Sequence, residues 1–204
     1  MAYKALIFDL GKTLVHFDFQ RGYRALEGLC PHPAAEIPRR LAGTGLVERF
    51  ETGLVEPHDF VTQMASVLEL RVDYQRFCQI WGSIFADTLV PDSMLAALHA
   101  RYRMVLLSNT NAIHFEFIRA RYATLLRHFD ACVLSYEVKS MKPHAGIYHA
   151  AIEKAGCPAA ECFYTDDIAD YVAGARALGI DAVQFQNAAQ LERDLLARGI
   201  RWEG

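Results

Sequence analysis

Four short polar groups interrupt the chain, and each comes after a run of residues that reads as a β-strand. Asp9-Leu10-Gly11-Lys12-Thr13 follows Lys4–Phe8, and Ser108-Asn109-Thr110-Asn111 follows Met104–Leu107. Lys139-Ser140-Met141-Lys142-Pro143 comes after Ala131–Leu134, and Thr165-Asp166-Asp167 follows Cys162–Tyr164. Singly, each has an ordinary explanation. An Asp after a strand is commonly a turn or cap residue, Ser-Asn-Thr is turn chemistry, Lys before Pro is a solvated loop residue, and an acidic pair suits the start of a helix. Together they form a coherent chemical set. Three carboxylates, Asp9, Asp166 and Asp167, repel one another unless a cation sits among them, and hard oxygen donors with open positions suit Mg²⁺. A carboxylate such as Asp9 can attack phosphorus and carry the phosphoryl group as an aspartyl-phosphate. Lys142 would neutralise the nucleophile and the phosphate. Ser108 and the neighbouring backbone N–H groups would hold the phosphoryl oxygens by position and charge.

The elements that must position these groups alternate in type. The four strand runs, with a fifth at Asp181–Phe185, are nearly continuous in apolar residues, as expected of parallel strands covered on both faces. Helical patterns occupy Pro91–Ala100, Ile113–Leu126, His144–Ala155, Ile168–Leu178 and Ala188–Ala197. Leu178-Gly179-Ile180 reads as a helix end capped by Gly and leading into the next strand. The pattern predicts an α/β, Rossmann-like doubly wound domain with a mainly parallel sheet. Ligands of such sheets bind beyond the carboxyl ends of the strands, so all four polar groups converge on one edge. From His16 to Leu89 the alternation breaks: the segment shows amphipathic helical stretches and no convincing strand. A βα crossover needs far fewer residues. The expected division is a catalytic core over 1–15 and 90–204, with a helical cap over 16–89 inserted after the first strand.

Composition narrows the function classes. The chain has 204 residues, enough for one well-buried domain with a small insertion. Hydrophobic residues at 52% and charged residues at 22% argue against disorder. A net charge of −3 provides no basic field for nucleic acid. The five cysteines are scattered, and only Cys157 and Cys162 lie close together without completing a zinc pattern, which is the pattern of free thiols in a reducing compartment. The apolar N-terminus stops at Asp9, too soon for a secretory signal, and no stretch approaches the roughly 18 apolar residues that span a bilayer. The expectation is a cytoplasmic protein without a membrane partner.

Ile7-Phe8-Asp9-Leu10-Gly11-Lys12-Thr13-Leu14-Val15, Leu106-Leu107-Ser108-Asn109-Thr110, Met141-Lys142-Pro143 and Phe163-Tyr164-Thr165-Asp166-Asp167 resemble, in order and spacing, the four motifs of the haloacid dehalogenase superfamily. The resemblance covers nearly the whole chain, and the insertion after the first motif is similar to that family's helical cap. Within the superfamily the stretches are most similar to the α-D-glucose-1-phosphate phosphatase subgroup. The resemblance implies an Mg²⁺-dependent phosphatase acting on a small phosphorylated metabolite, such as a hexose-1-phosphate. It assigns Asp9 as nucleophile and metal ligand, Ser108 and Asn109 to phosphate binding, Lys142 to charge stabilisation, and Asp166 and Asp167 to the metal. Asp170 would support the Asp166 loop or cap it.

One position departs from the family pattern. Most phosphatases of the superfamily carry a second Asp two residues after the nucleophile as general acid and base, and Gly11 stands there. Gly11 still offers the backbone carbonyl through which that residue ligates the metal. Losing the proton transfer costs about 10²–10⁴-fold, so Gly11→Asp is expected to speed poor leaving groups. A sugar-1-phosphate, whose anomeric oxygen leaves easily, would tolerate the loss, and Lys12 or His16 would substitute in part, although the ordinary reading of His16 is a loop or cap histidine with no catalytic part. Two other activities fit less of the pattern. A 2-haloacid dehalogenase also lacks the second Asp, but its metal-free chemistry leaves Asp166-Asp167 unexplained. A phosphate-binding protein of low turnover does not need every motif position retained. Gly11-Lys12-Thr13 is not the end of a P-loop, because the earlier Gly of that motif would fall at Leu6, inside the strand. Specificity would come from the cap, where Arg49, Glu51, His58, Trp81 and Phe85 are candidates to face the site.

Overall fold

In the computed structural model, which describes residues 2–202, five parallel strands form one sheet. They are β1 (Ala5–Phe8), β4 (Arg103–Ser108), β5 (Ala131–Leu134), β6 (Cys162–Asp166) and β7 (Asp181–Gln184). Their order is β5-β4-β1-β6-β7, which puts β1 at the centre, paired with β4 and β6. That location explains why β1 is wholly apolar. All four of its residues are buried, and alternate side chains enter opposite faces. Leu6 and Phe8 join one core, with Met104 and Leu106 of β4. Ala5 and Ile7 join the other, with Val105 and Leu107.

Helices cover both faces. On the Leu6–Phe8 face lie α6 (Asp92–His99), α7 (Ala112–Arg121), α8 (Ala123–Leu126) and α12 (Ala188–Ala197), which contribute Leu95, Leu98, Ile118, Leu125, Leu191 and Leu195. On the other face α10 (Ala145–Ala155) and α11 (Ala169–Ala177) bring Ile147, Tyr148, Val172 and Ala175. Each large apolar side chain removed from water contributes about 1.5–3 kcal/mol, so these two layers hold the strand ends that carry the polar groups. No described helix is long and apolar enough to cross a membrane. The doubly wound architecture is the one expected.

The interval after β1 folds as α1 (Phe19–Glu27), α2 (Ile37–Ala42), α3 (Leu46–Glu51), α4 (Pro57–Leu68) and α5 (Tyr74–Gly82). Asp18 and Asp73 start α1 and α5 by accepting from the N–H groups of Gln20 and Arg76, and Pro57 opens α4. These helices build a third core of Phe50, Phe60, Met64, Phe77 and Trp81, in which Phe50 and Phe60 stack at 4.0 Å. The expectation of no strand between His16 and Leu89 was wrong. β2 (Val15–Phe17) and β3 (Phe85–Thr88) pair antiparallel, so the two chain crossings into and out of the helices form a ribbon. Elements of three and four residues are too short to show a period, and Asp87 and Thr88 dilute the apolar signal. The helix expected over Ile113–Leu126 is interrupted at Tyr122, whose hydroxyl donates to the Ala86 carbonyl beside that ribbon. A short α9 (Ser135–Val138) also follows β5 directly.

Candidate active site

Asp9 directly follows β1, and its backbone N–H donates to the Thr165 carbonyl at 3.0 Å, which locks it between the ends of β1 and β6. Ser108 and Asp166 are the last residues of β4 and β6 rather than the first residues of the loops beyond them. Lys142 arrives from the segment between α9 and α10 and is 3% exposed. Its Nζ donates to Asp9 Oδ1 at 2.6 Å, to Asp166 Oδ2 at 2.6 Å and to the Leu107 carbonyl at 3.3 Å. Asp166 Oδ1 accepts the Ile168 N–H at 2.9 Å, and Oδ2 also accepts the Tyr164 hydroxyl. Asp167 completes the group: carboxylate oxygens of Asp9, Asp166 and Asp167 lie within 4.8 Å of one another.

Two ammonium groups, the buried Lys142 and the exposed Lys12, face three carboxylates, which leaves the cluster short of positive charge. Burial raises the Asp9 carboxyl to about 7, with the Asp166 charge adding to the rise, although Lys142 opposes both. Asp167 is likewise raised, first by burial and then by Asp166. Burial works to lower the Lys142 ammonium, but the attraction of Asp9 and Asp166 outweighs it and the net shift is upward. A hard divalent cation supplies the missing charge, and this donor set fits one.

Asp9, Gly11, Ser108, Asn109, Lys142, Asp166 and Asp167 all line one cavity of ≈ 220 Å³. The Asn109 side chain is held by its neighbours. Its Oδ1 accepts the Lys142 N–H at 2.8 Å and its Nδ2 donates to the Lys142 carbonyl at 3.1 Å, so the amide braces the lysine backbone. Lys12 lines the cavity with its ammonium 5.2 Å from the centre of the Phe17 ring, whereas His16 is exposed and does not line it. Asp170 is exposed in the first turn of α11 and makes no cap bond. Of the five insertion candidates, Glu51 and Phe85 line the cavity. His58 stacks on Tyr74 at 3.8 Å, Trp81 is buried in the third core, and Arg49 is exposed. Sequence reasoning missed Tyr164, Tyr171 and Ser135. Tyr164 was within reach, because a strand places residues i and i+2 on one face and Asp166 is that neighbour.

Gly11 is more than a missing acid. A Cβ there would lie 2.6 Å from Phe17 Cε1, and the Phe17 ring is held edge-on by Phe19 at 5.2 Å and Phe85 at 6.1 Å. The side-chain space at Gly11 is thus already filled by an aromatic ring, so Gly11→Asp does not simply restore a proton donor. Gly11→Ala is expected to destabilise by about 1–3 kcal/mol through overpacking. Phe17→Leu should recover part of that loss in a double-mutant cycle read by chemical denaturation, and additive effects would show that the ring is not the obstacle.

His114 borders the same cavity, but it is structural. Its Nε2–H donates to the Trp81 carbonyl at 3.1 Å, and its Nδ1 accepts the Asn111 amide at 3.0 Å. Burial lowers its pKa to about 4, against the pull of the Trp81 carbonyl. The unfolded chain takes up this proton near 6.5 and the folded one only near 4. Stability from this group is therefore complete above 6.5 and lost as pH falls toward 4, about 3 kcal/mol over the window. His114→Gln keeps a donor for Trp81 and should flatten denaturation midpoints between pH 6.5 and 4; an unchanged slope would contradict this.

Residues 3–179 match the family model for haloacid dehalogenase-like hydrolases. The chain belongs to that family. A phosphatase of Mycobacterium tuberculosis, MT3486, is 28% identical in an alignment covering 100% of this chain and 99% of the relative. The D-ribitol-5-phosphate phosphatase of Bacteroides thetaiotaomicron is 23% identical over 94% of this chain and 96% of its own. Among solved structures, a haloacid dehalogenase family enzyme from Bacteroides thetaiotaomicron in complex with magnesium and inorganic phosphate superposes with a TM-score of 0.81 at 28% identity. That superposition covers 91% of this chain and 96% of the other.

Proposed function

We propose that this haloacid dehalogenase-like hydrolase is an Mg²⁺-dependent phosphatase that hydrolyses a small sugar or polyol phosphate through an aspartyl-phosphate on Asp9. The observation that carries this reading is the buried carboxylate cluster around one ammonium, at the rim of a cavity sized for a small phosphomonoester. Asp9 attacks phosphorus with the carboxylate oxygen not held by Lys142. Ser108 and the backbone N–H groups after β4 hold the phosphoryl oxygens. Lys142 opposes the protonation that burial favours at Asp9 and screens the incoming charge, and Asn109 fixes the lysine by its backbone. Asp9, Asp166, Asp167 and the Gly11 carbonyl would hold Mg²⁺, which when bound neutralises charge developing on the phosphoryl group. The helices α1–α5 act as a cap that selects the substrate. The named relatives support phosphomonoester chemistry, one of them on D-ribitol 5-phosphate. The motif resemblance to glucose-1-phosphate phosphatases favours a hexose-1-phosphate within the sugar phosphate class.

A screen of sugar phosphates, polyol phosphates, nucleotides and 2-haloacids, each with Mg²⁺ and with chelator, tests this directly. Turnover of sugar or polyol phosphates that stops on chelation is expected. Chloride release from a 2-haloacid in chelator would support a dehalogenase instead.

A further inference from the structure

The cavity contains one carboxyl group that the steps above do not use. Glu51 ends α3, lines the same cavity as Asp9, Ser108 and Asp167, and its carboxyl makes no hydrogen bond or ion pair among the described residues. Its backbone is clamped to the core. Ser135 Oγ donates to the Glu51 carbonyl at 2.6 Å and contacts the Thr110 N–H and carbonyl, each at 2.9 Å. Two residues on, Gly53 has φ 68°, and a Cβ there would lie 2.0 Å from the Tyr136 carbonyl oxygen, so only glycine lets the chain approach this closely. Glu51 is therefore set by the same Ser135–Thr110 junction that follows the Ser108 strand end.

Several other groups that line the cavity are poorly placed to move a proton. Phe17 occupies the space of a side chain at Gly11. Both ring nitrogens of His114 are engaged. The Tyr171 hydroxyl accepts from Asn109, and burial raises its pKa, so it holds its proton. Asp166 is tied to Lys142, Tyr164 and Ile168.

We propose that Glu51 is the proton donor and acceptor of the reaction, delivered by the helical insertion in place of the side chain that Gly11 lacks. The proposal rests on the phosphatase reading. As Asp9 attacks phosphorus, the bond from phosphorus to the leaving oxygen breaks, and the Glu51 carboxyl passes its proton to that oxygen, releasing an alcohol. The resulting Glu51 carboxylate then takes a proton from water as the water oxygen attacks phosphorus. The bond to Asp9 breaks, which frees inorganic phosphate and returns both side chains to their starting states. In an in-line displacement the leaving group departs opposite the attacking oxygen, and Glu51 reaches the cavity from the insertion rather than from the strand ends. Burial, with the Glu48 charge adding to it, raises the Glu51 carboxyl to about 7, suited to donating and accepting near neutrality.

The test compares two substrates of the Mg²⁺-loaded Glu51→Gln protein: an alkyl phosphate, whose leaving alcohol needs a proton, and p-nitrophenyl phosphate, whose phenolate does not. Because kcat/KM reports only steps through phosphorylation of Asp9, it should fall about 10²-fold or more for the alkyl phosphate and change little for p-nitrophenyl phosphate. With the latter, rapid mixing should show a burst of p-nitrophenol followed by slow turnover, because the second step has lost its base. Glu51→Asp, which keeps an acid, should restore part of the alkyl phosphate rate, and its melting temperature checks the fold. Equal losses on both substrates, or an unchanged alkyl phosphate rate, would overturn the role of Glu51. Failure of the wild-type protein to hydrolyse either substrate with Mg²⁺ would overturn the phosphatase reading and this role with it.

Discussion

Asp9→Asn is expected to abolish phosphomonoester turnover, by about 10⁴-fold or more in kcat, while leaving the protein folded. The activity loss would follow from removing the proposed nucleophile, and losses of this size are typical of nucleophile deletions. The fold should survive because Asn keeps the shape of the side chain, and the Asp9 N–H bond to Thr165 is a backbone contact. Asn also carries no charge to desolvate, and burial is the largest influence on the Asp9 carboxyl. The melting temperature without metal is thus expected to match or exceed that of the wild type. A second readout separates loss of chemistry from loss of metal. Added Mg²⁺ should raise the wild-type melting temperature by mass action, and that increment should shrink in Asp9→Asn, which keeps only part of the carboxylate set. A variant that retained turnover would exclude Asp9 as nucleophile.

Lys142→Met carries the largest expected effect on stability. The side chain is of similar length, but the ammonium that Asp9 and Asp166 share is gone. Two buried carboxylates would then face each other uncompensated, since Asp166 is fully buried and Asp9 is 5% exposed. Removing one partner of a buried ion pair costs about 3–5 kcal/mol, because the remaining charge has lost both water and its counterion. Denaturant unfolding at neutral pH without metal should show a loss of that size, and activity should vanish with it. Adding Mg²⁺ should recover part of the stability, since the cation replaces the missing positive charge. A loss below about 1 kcal/mol, the range of exposed ion pairs, would mean that the cluster is more hydrated than its geometry indicates.

Much of the site can be read from the sequence for one topological reason. In a doubly wound sheet the carboxyl ends of neighbouring strands share an edge, so polar residues that end apolar runs must meet even when far apart in the chain. Asp9, Ser108 and Asp166 follow from that rule, because their strands are buried on both faces and stand out as continuous apolar runs. Lys142 follows less directly, since a short helix and a loop separate it from β5. What stayed hidden depends on contacts between distant segments. The β2–β3 ribbon joins residues 15–17 to 85–88, and neither piece is long enough to show a period. Phe17 blocks the space beside Gly11 only because that ribbon folds back over the nucleophile loop. Glu51 was one of several insertion residues without distinguishing spacing, and Ser135, which holds it, belongs to no motif. For Asn109 the motif resemblance implies phosphate binding, and what the sequence does not show is that its side-chain amide also braces the Lys142 backbone.

In the proposed reaction Asp9 carries the phosphoryl group. The direct measurement is acid quench of the Mg²⁺-loaded protein within its first turnover on p-nitrophenyl phosphate, followed by proteolysis and mass mapping. The peptide containing Asp9 is predicted to gain one phosphoryl group, sensitive to hydroxylamine as an acyl phosphate and absent from Asp9→Asn. Phosphate released with no labelled peptide, or a label on another residue, would contradict the account.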